Sequence, residues 1–316
     1  MSTFEHDLTK GNIWKQLVWF AVPFFISNLI QSLYSLIDLI ILGHFGGTNS
    51  ISAANIGGQV LVILTNLAAG LSGGGTVMLG NYLGSKRKDK INGAISTLFI
   101  TLTVMAAAFM VLLFILKQPL LRLLDTPEEA FSQAEQYLFI CTLGLLFIYG
   151  YNALSAIMRG LGDSRTPMIF VMIACVINII LDLVLVAGCH LGAGGAAVAT
   201  VFAQGCSMLF CIIYLKHHDF MFDFKPSSFH FIKEEFHTLL RTGLPLSIQM
   251  VGTNFSFLIL TTFINRAGGV AASAAAGIVN NFNGFAILPE AAISSAASAM
   301  IAQNMGKKDV KRSSKT

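Results

Sequence analysis

Apolar residues in this chain do not alternate with polar ones. They run almost unbroken for twenty or more positions at a time, and the polar residues gather between the runs. A helix that is apolar all round needs apolar surroundings, and about 20 such residues cross a bilayer. Eight runs are long enough: 15–43, 52–81, 92–116, 131–157, 167–188, 194–215, 239–265 and 271–303. They predict an all-α integral membrane protein, a polytopic bundle of eight transmembrane helices. The eighth run, "AASAAAGIVNNFNGFAILPEAAISSAASAM", is rich in small residues that let helices approach closely, so it is expected to face other helices rather than lipid.

Composition sharpens that picture. Of the 316 residues 54% are hydrophobic and 11% charged, where soluble domains carry roughly 25% charged residues. The mean hydropathy is +0.71. No cleavable leader is expected, because the first run follows a polar stretch and is too long for a signal core. The formal charge of +4 is explained by placement. With the N-terminus inside, 17 of the 20 Lys and Arg residues fall in inside segments, and only Lys117, Arg122 and Arg266 fall outside. That bias predicts a multi-pass protein of the cytoplasmic membrane with a cytoplasmic N-terminus. It makes the basic surplus a topology signal, and no nucleic-acid partner is expected. Five cysteines lie in apolar segments without a C-x-x-C pair and read as reduced core residues. The histidines at 217, 218, 230 and 237 lack metal-ligand spacing, so no structural metal is expected.

A shift of 222 residues lays the first two runs on the last two without a gap. Pro23 meets Pro245, Gly46-Gly47 meets Gly268-Gly269, Ser72 meets Ser294, and "LGSK" meets "MGKK". Six runs precede the repeat, so both copies enter the membrane in the same direction, as in transporters that rock two halves about a central cavity. The domains follow: a six-helix lobe over 1–215, an inside linker over 216–238, and the first two helices of a second lobe over 239–316. The linker's mixture of Phe and Lys predicts that part of it lies along the membrane surface. A six-helix repeat calls for twelve helices, so a C-terminally truncated chain is expected.

The candidate chemistry lies at depth. Of 16 acidic residues only Asp38, Asp182 and Glu290 fall inside the runs away from the entry of the fourth, where Glu135 stands, with no Lys or Arg at depth to neutralise them. Each costs about 2.5–3.5 kcal/mol on insertion scales, which marks them as functional candidates. Asn178 and Asp182 are four residues apart and share one helix face. At 1.5 Å per residue, Asp38 and Asp182 lie roughly 8–9 Å below the outer ends of their runs. Thr200, entering from the other direction, reaches the same layer. Two carboxylates, an amide and a hydroxyl suit a hard cation such as Na⁺. They suit equally a proton shared between two acids. Glu290, after Pro289, either lines a substrate cavity or is a packed acid at a kink. Pro23 removes a backbone hydrogen bond and can bend the first helix. Its kink is either simply tolerated or answers the protonation of Asp38. An aspartyl dyad enzyme is not expected, since no flanking signature accompanies the acids.

An ordered set of motifs also resembles a known family. The carriers are "AVPFFISNLIQSLYSLIDLIILGHFG" in the first run, "RGLGDSRTPM" after the fourth, "INIILDLVLV" in the fifth, "GAGGAAVATVFAQ" in the sixth and "AQNMGKKD" closing the eighth. Together they resemble the multidrug and toxic compound extrusion transporters, in the branch with its ion site in the N-terminal lobe. The resemblance implies two six-helix lobes that open alternately, exporting small cationic or amphipathic drugs in exchange for Na⁺ or H⁺. It implies a transporter rather than an enzyme, no cofactor beyond the coupling ion, and a monomer surrounded by membrane lipid. It places the ion site at Asp38, Asn178, Asp182 and Thr200, with Tyr137 and Asn152 as secondary members and Pro23 as the helix bend. The seventh run, "GLPLSIQMVGTNFSFLILTTFINR", has no acid, which speaks against a site in the second lobe. The same superfamily includes lipid-linked oligosaccharide flippases. A flippase that handles phosphates calls for basic residues in its cavity, and the runs carry them only at their ends, at Lys15 and Arg241.

Overall fold

A computed structural model describes residues 6–218 and 220–316, including side chains except at 257–258, 261–262, 264–278 and 280–282. All regular structure among the described residues is helical. The first helix, α1 (Ile13–Ile41), is opened by Asn12, whose side-chain oxygen accepts a hydrogen bond from the Lys15 N–H at 3.1 Å. It widens into a π-helical turn over Leu42–Gly46. The chain then reverses at Gly47, whose φ of 76° lies in the left-handed region that glycine adopts without penalty. Next come α2 (Gly47–Gly84), α3 (Lys88–Leu123), α4 (Glu128–Gly160) and α5 (Arg165–Asp182). A second π-helical turn, Leu183–Gly188, extends α5 before α6 (Gly192–His217). A 3-10 turn at Pro226–Ser228 leads to α7 (Lys233–Gly306) and the short α8 (Val310–Ser313).

Each of the first six predicted runs falls within one of these helical stretches. Six stretches among the described residues are long and apolar enough to cross a membrane, where eight runs were expected. The difference has two causes. Ile13–Gly84 is one stretch of 72 residues, far more than one crossing needs, and the reversal at Gly47 divides it into two predicted runs. The second is that α7 carries both the seventh and the eighth run, and among the described residues only its later part counts as a stretch of its own. "RAGGVAASAAAG" contains no proline, and its alanines favour helix over a loop. Even so, α7 cannot be straight. Gly243 lies against Gly74, and Gln303 lies against Gly84. Those α2 residues are only about 15 Å apart along their helix, whereas a straight α7 would separate its own two by about 90 Å. Both arms, 233–256 and 283–306, therefore pack on α2.

The core is centred on α4, which packs against α2, α3 and α6. Tyr149 is fully buried there and donates its hydroxyl to the Leu64 carbonyl of α2 at 2.7 Å. α1 packs between α5 and the second arm of α7, where Phe20, Ala21 and Phe24 meet Ala292, Ala296, Ala299 and Met300. The small residues Ala292, Ala296 and Ala299 of the eighth run thus face another helix. Large apolar side chains such as Val104, Ile115 and Val176 point outward, as they do on a surface solvated by lipid. The linker differs from its expected surface position. Phe220 and Phe222 are buried, and Phe224 and Phe229 meet Phe99 of α3 edge-on at 5.8 and 5.9 Å. α7 begins at Lys233, inside the segment assigned to the linker from sequence. At that end Tyr82 donates to Glu235 at 2.6 Å, and Lys90 lies 3.7 Å from the same carboxylate.

Candidate ion-coupling site

Adjacent helices bring the two deep aspartates of the first lobe together. α1 packs along α5, and the two π-helical turns meet beyond their ends. Asp38 sits one turn before the first π-helical turn, and its backbone carbonyl accepts from the Leu42 N–H where the helix widens. Asp182 is the last residue of α5, directly before the second. A π turn inserts a residue into the helical register and is frequent at functional sites. Asp182 is fully buried, and its carboxyl lies within hydrogen-bonding reach of that of Asp38. Ile41, Leu42, Val186 and Ala196 form a small apolar cluster that includes residues of both π turns, sealing that side of the pair.

Asn178 lies one turn below Asp182 and is buried. Its amide donates to the Thr200 hydroxyl of α6 at 3.4 Å, a long bond that ties α5 to α6. What the site lacks is donors. Asp38 Oδ1, both Asp182 carboxyl oxygens and Asn178 Oδ1 are buried with no hydrogen-bond partner. Among the described residues neither aspartate has a salt-bridge partner. A buried acceptor without a donor costs about 1–3 kcal/mol, and more when charged. Two carboxyl groups in contact, away from any fixed cation, are stable only if a proton or a mobile cation joins them. The donor set is all oxygen, which fits a proton or a hard monovalent cation and offers nothing to a soft transition metal. No cluster of three or more His, Cys, Asp or Glu occurs among the described residues.

Two tyrosines border the pair. Tyr34 lies one turn before Asp38 on the same face of α1, and both aspartates act on it electrostatically. Tyr137 of α4 has Asp38, Tyr34 and Cys141 as its neighbours. Tyr137 was expected from the sequence, whereas Tyr34 was not. Its signal was the i, i+4 spacing to Asp38, which places both on one helix face. The remaining candidates are elsewhere. Asn152 is about 22 Å along α4 from Tyr137 and bonds its amide to the Ile148 carbonyl at 2.9 Å. Pro23 is about the same distance from Asp38 along α1 and is buried, with the Ser27 hydroxyl donating to its carbonyl at 2.8 Å. Glu290 is exposed on the second arm of α7, apart from the aspartate pair.

Comparison with known proteins shows which family and fold the chain shares. The family model described as MatE matches residues 23–184 and 245–316, covering all four candidate ligands except Thr200. The chain is 31% identical over 312 residues to a Bacillus subtilis protein named "Probable multidrug resistance protein YpnP", covering 97% of this chain and 68% of that one. It is 24% identical over 264 residues to "Multidrug export protein MepA" of Staphylococcus aureus, covering 83% of this chain and 58% of that protein. In three dimensions it superposes with a TM-score of 0.93 on a structure reported as the outward-facing conformation of a multidrug resistance MATE family transporter. That match has 23% identity and covers 100% of this chain and 70% of the other.

Proposed function

The chain belongs to the multidrug and toxic compound extrusion family, and on that premise we propose that it exports small cationic or amphipathic compounds by antiport with Na⁺ or H⁺. The coupling ion binds among Asp38, Asn178, Asp182 and Thr200. The observation that carries this reading is the group of four buried oxygens without a donor, two of them on a carboxyl group in contact with a second. A protein that only needed to fold would gain by replacing such a pair with apolar residues. Retaining it makes sense where an ion enters and leaves. Occupied, the pair draws α1 and α5 together; vacated, two carboxylates repel and the helices shift against one another. That is a two-state element which both the ion and the drug can bias. Orientation follows the basic residues, with both termini on the cytoplasmic side. The six-helix lobe and the two arms of α7 form opposite walls of the drug pathway, and Glu290 on the second arm faces the drug. Tyr34 and Tyr137 stand beside the pair.

The test is export of a fluorescent cation from cells, with and without Na⁺ and across external pH, for the parent and Asp38→Asn at equal expression. The proposal expects export driven by one of the two ions and lost in the variant. Export in Asp38→Asn that keeps the parent's ion dependence would sink the assignment.

A further inference from the structure

Away from the aspartate pair, a cavity of about 850 Å³ opens between the first halves of α1 and α5. Its walls are apolar, with Val22 and Pro23 of α1 facing Ile169 of α5, and at one end stand two cations, Lys15 and Arg165. Neither has an acidic partner among the described residues. The nearest acid in sequence, Asp163, is already engaged: its Oδ1 accepts the backbone N–H groups of Arg165 at 2.9 Å and Thr166 at 3.1 Å. The Arg165 guanidinium lies over the Trp19 ring, 4.2 Å from its centroid. His6 meets the same ring edge-on at 6.1 Å, holding the indole in place. A guanidinium attracted to an aromatic face still carries N–H donors suited to a bidentate oxyanion. Trp14 stands at the same end and is 72% exposed.

We propose that this cavity binds an anionic membrane phospholipid. Its phosphate lies between Lys15 and the free edge of Arg165, and one acyl chain runs along the α1–α5 groove toward Pro23. The charge is complementary, and the volume falls in the range of sites that hold an amphiphile, roughly 300–1,000 Å³. Two indoles at the cationic end belong at the headgroup level, where amphipathic rings settle. Basic pockets between spanning helices on the positive side of a bundle recognise anionic headgroups. A lipid seated there touches Pro23 and so contacts α1 where its backbone is weakest. The inference needs only that the helices span a bilayer; it stands or falls apart from the ion site.

The chain contains two tryptophans, Trp14 and Trp19, and both line this cavity, so selectively excited tryptophan fluorescence reports on it. The protein is reconstituted in phosphatidylcholine bilayers with a fixed fraction of brominated lipid, either phosphatidylglycerol or phosphatidylcholine. Each cation is expected to favour the anionic lipid by roughly fivefold. Brominated phosphatidylglycerol should therefore quench well beyond its mole fraction, and the Lys15→Gln, Arg165→Gln double variant should reduce its advantage to about one. Quenching by brominated phosphatidylcholine, unchanged in the variant, confirms that the helices still present both rings to lipid. If that control fails, the two single variants are read instead, and each should lose part of the preference. Equal quenching by the two lipids in the parent, or a preference that survives loss of the cations, overturns the proposal.

Discussion

Substituting a single methyl group into the seam between α2 and α7 tests whether the two arms pack as described. At Gly74 an added Cβ would stand 2.4 Å from both the Cα and the N of Gly243. These are backbone atoms, so no side chain can rotate away. Restoring an ordinary contact near 3.6 Å requires the helices to part by about 1 Å, which breaks close packing along the seam. Overpacking of this kind costs about 1–3 kcal/mol. Gly84 is tighter still, with the Gln303 carbonyl oxygen 1.9 Å from the added carbon. The control is Gly58 of the same helix, where an added Cβ meets nothing within 4 Å. There alanine should stabilise slightly, by up to about 1 kcal/mol, through helix propensity alone. The assay is thermal unfolding in detergent followed by thiol labelling of buried Cys141 and Cys211. Gly74→Ala and Gly84→Ala should unfold several degrees below the parent, and Gly58→Ala at or above it. If Gly74→Ala unfolds together with Gly58→Ala, the earlier arm does not lie on α2 and the reasoning fails.

Three further outcomes follow from particular contacts. Thr200→Ala removes the hydroxyl that receives the Asn178 amide and should raise the concentration of coupling ion needed for half-maximal export several-fold, whereas Thr200→Ser should restore it; equal behaviour of the two in an ion titration would exclude the hydroxyl as a ligand. Tyr82→Phe strips a donor from the buried Glu235 and should lower stability by about 1.5–3 kcal/mol, read as an earlier unfolding transition; an unchanged transition would mean that Lys90 alone satisfies that carboxylate. Glu290→Gln should change which drugs are exported and leave ion dependence intact, because the side chain lies apart from the aspartates; loss of ion dependence in this variant would move the coupling site to α7.

The helices were legible because lipid-facing and core-facing residues are both apolar here, so each crossing is written as an unbroken run. The deep acids were legible for the converse reason: Asp38 and Asp182 stand out where charge is costly. Their approach to the same layer could be read by counting residues from the nearest glycines, since helical rise is constant. The π turns after both aspartates left no such trace, because a change of register alters hydrogen bonding without altering composition. Tyr34 carries no charge to mark it in an apolar run, and only its spacing to Asp38 points to the site. The inward turn of the linker phenylalanines was hidden too. A Phe-rich, Lys-bearing loop has the same composition whether it lies on lipid or on α3.

Infrared difference spectroscopy asks the central question most directly: whether Asp38 and Asp182 hold the ion between them. Spectra of the reconstituted protein are recorded between acid and neutral pH, and with and without Na⁺. The account predicts a protonated-carboxyl band that disappears as the pH rises or as Na⁺ replaces the proton. Asp38→Asn and Asp182→Asn should each change that band as a whole, because the two carboxyl groups titrate as one unit rather than separately. A band that survives unchanged, still responding to pH or Na⁺, in the Asp38→Asn, Asp182→Asn double variant would place the ion elsewhere and contradict the account.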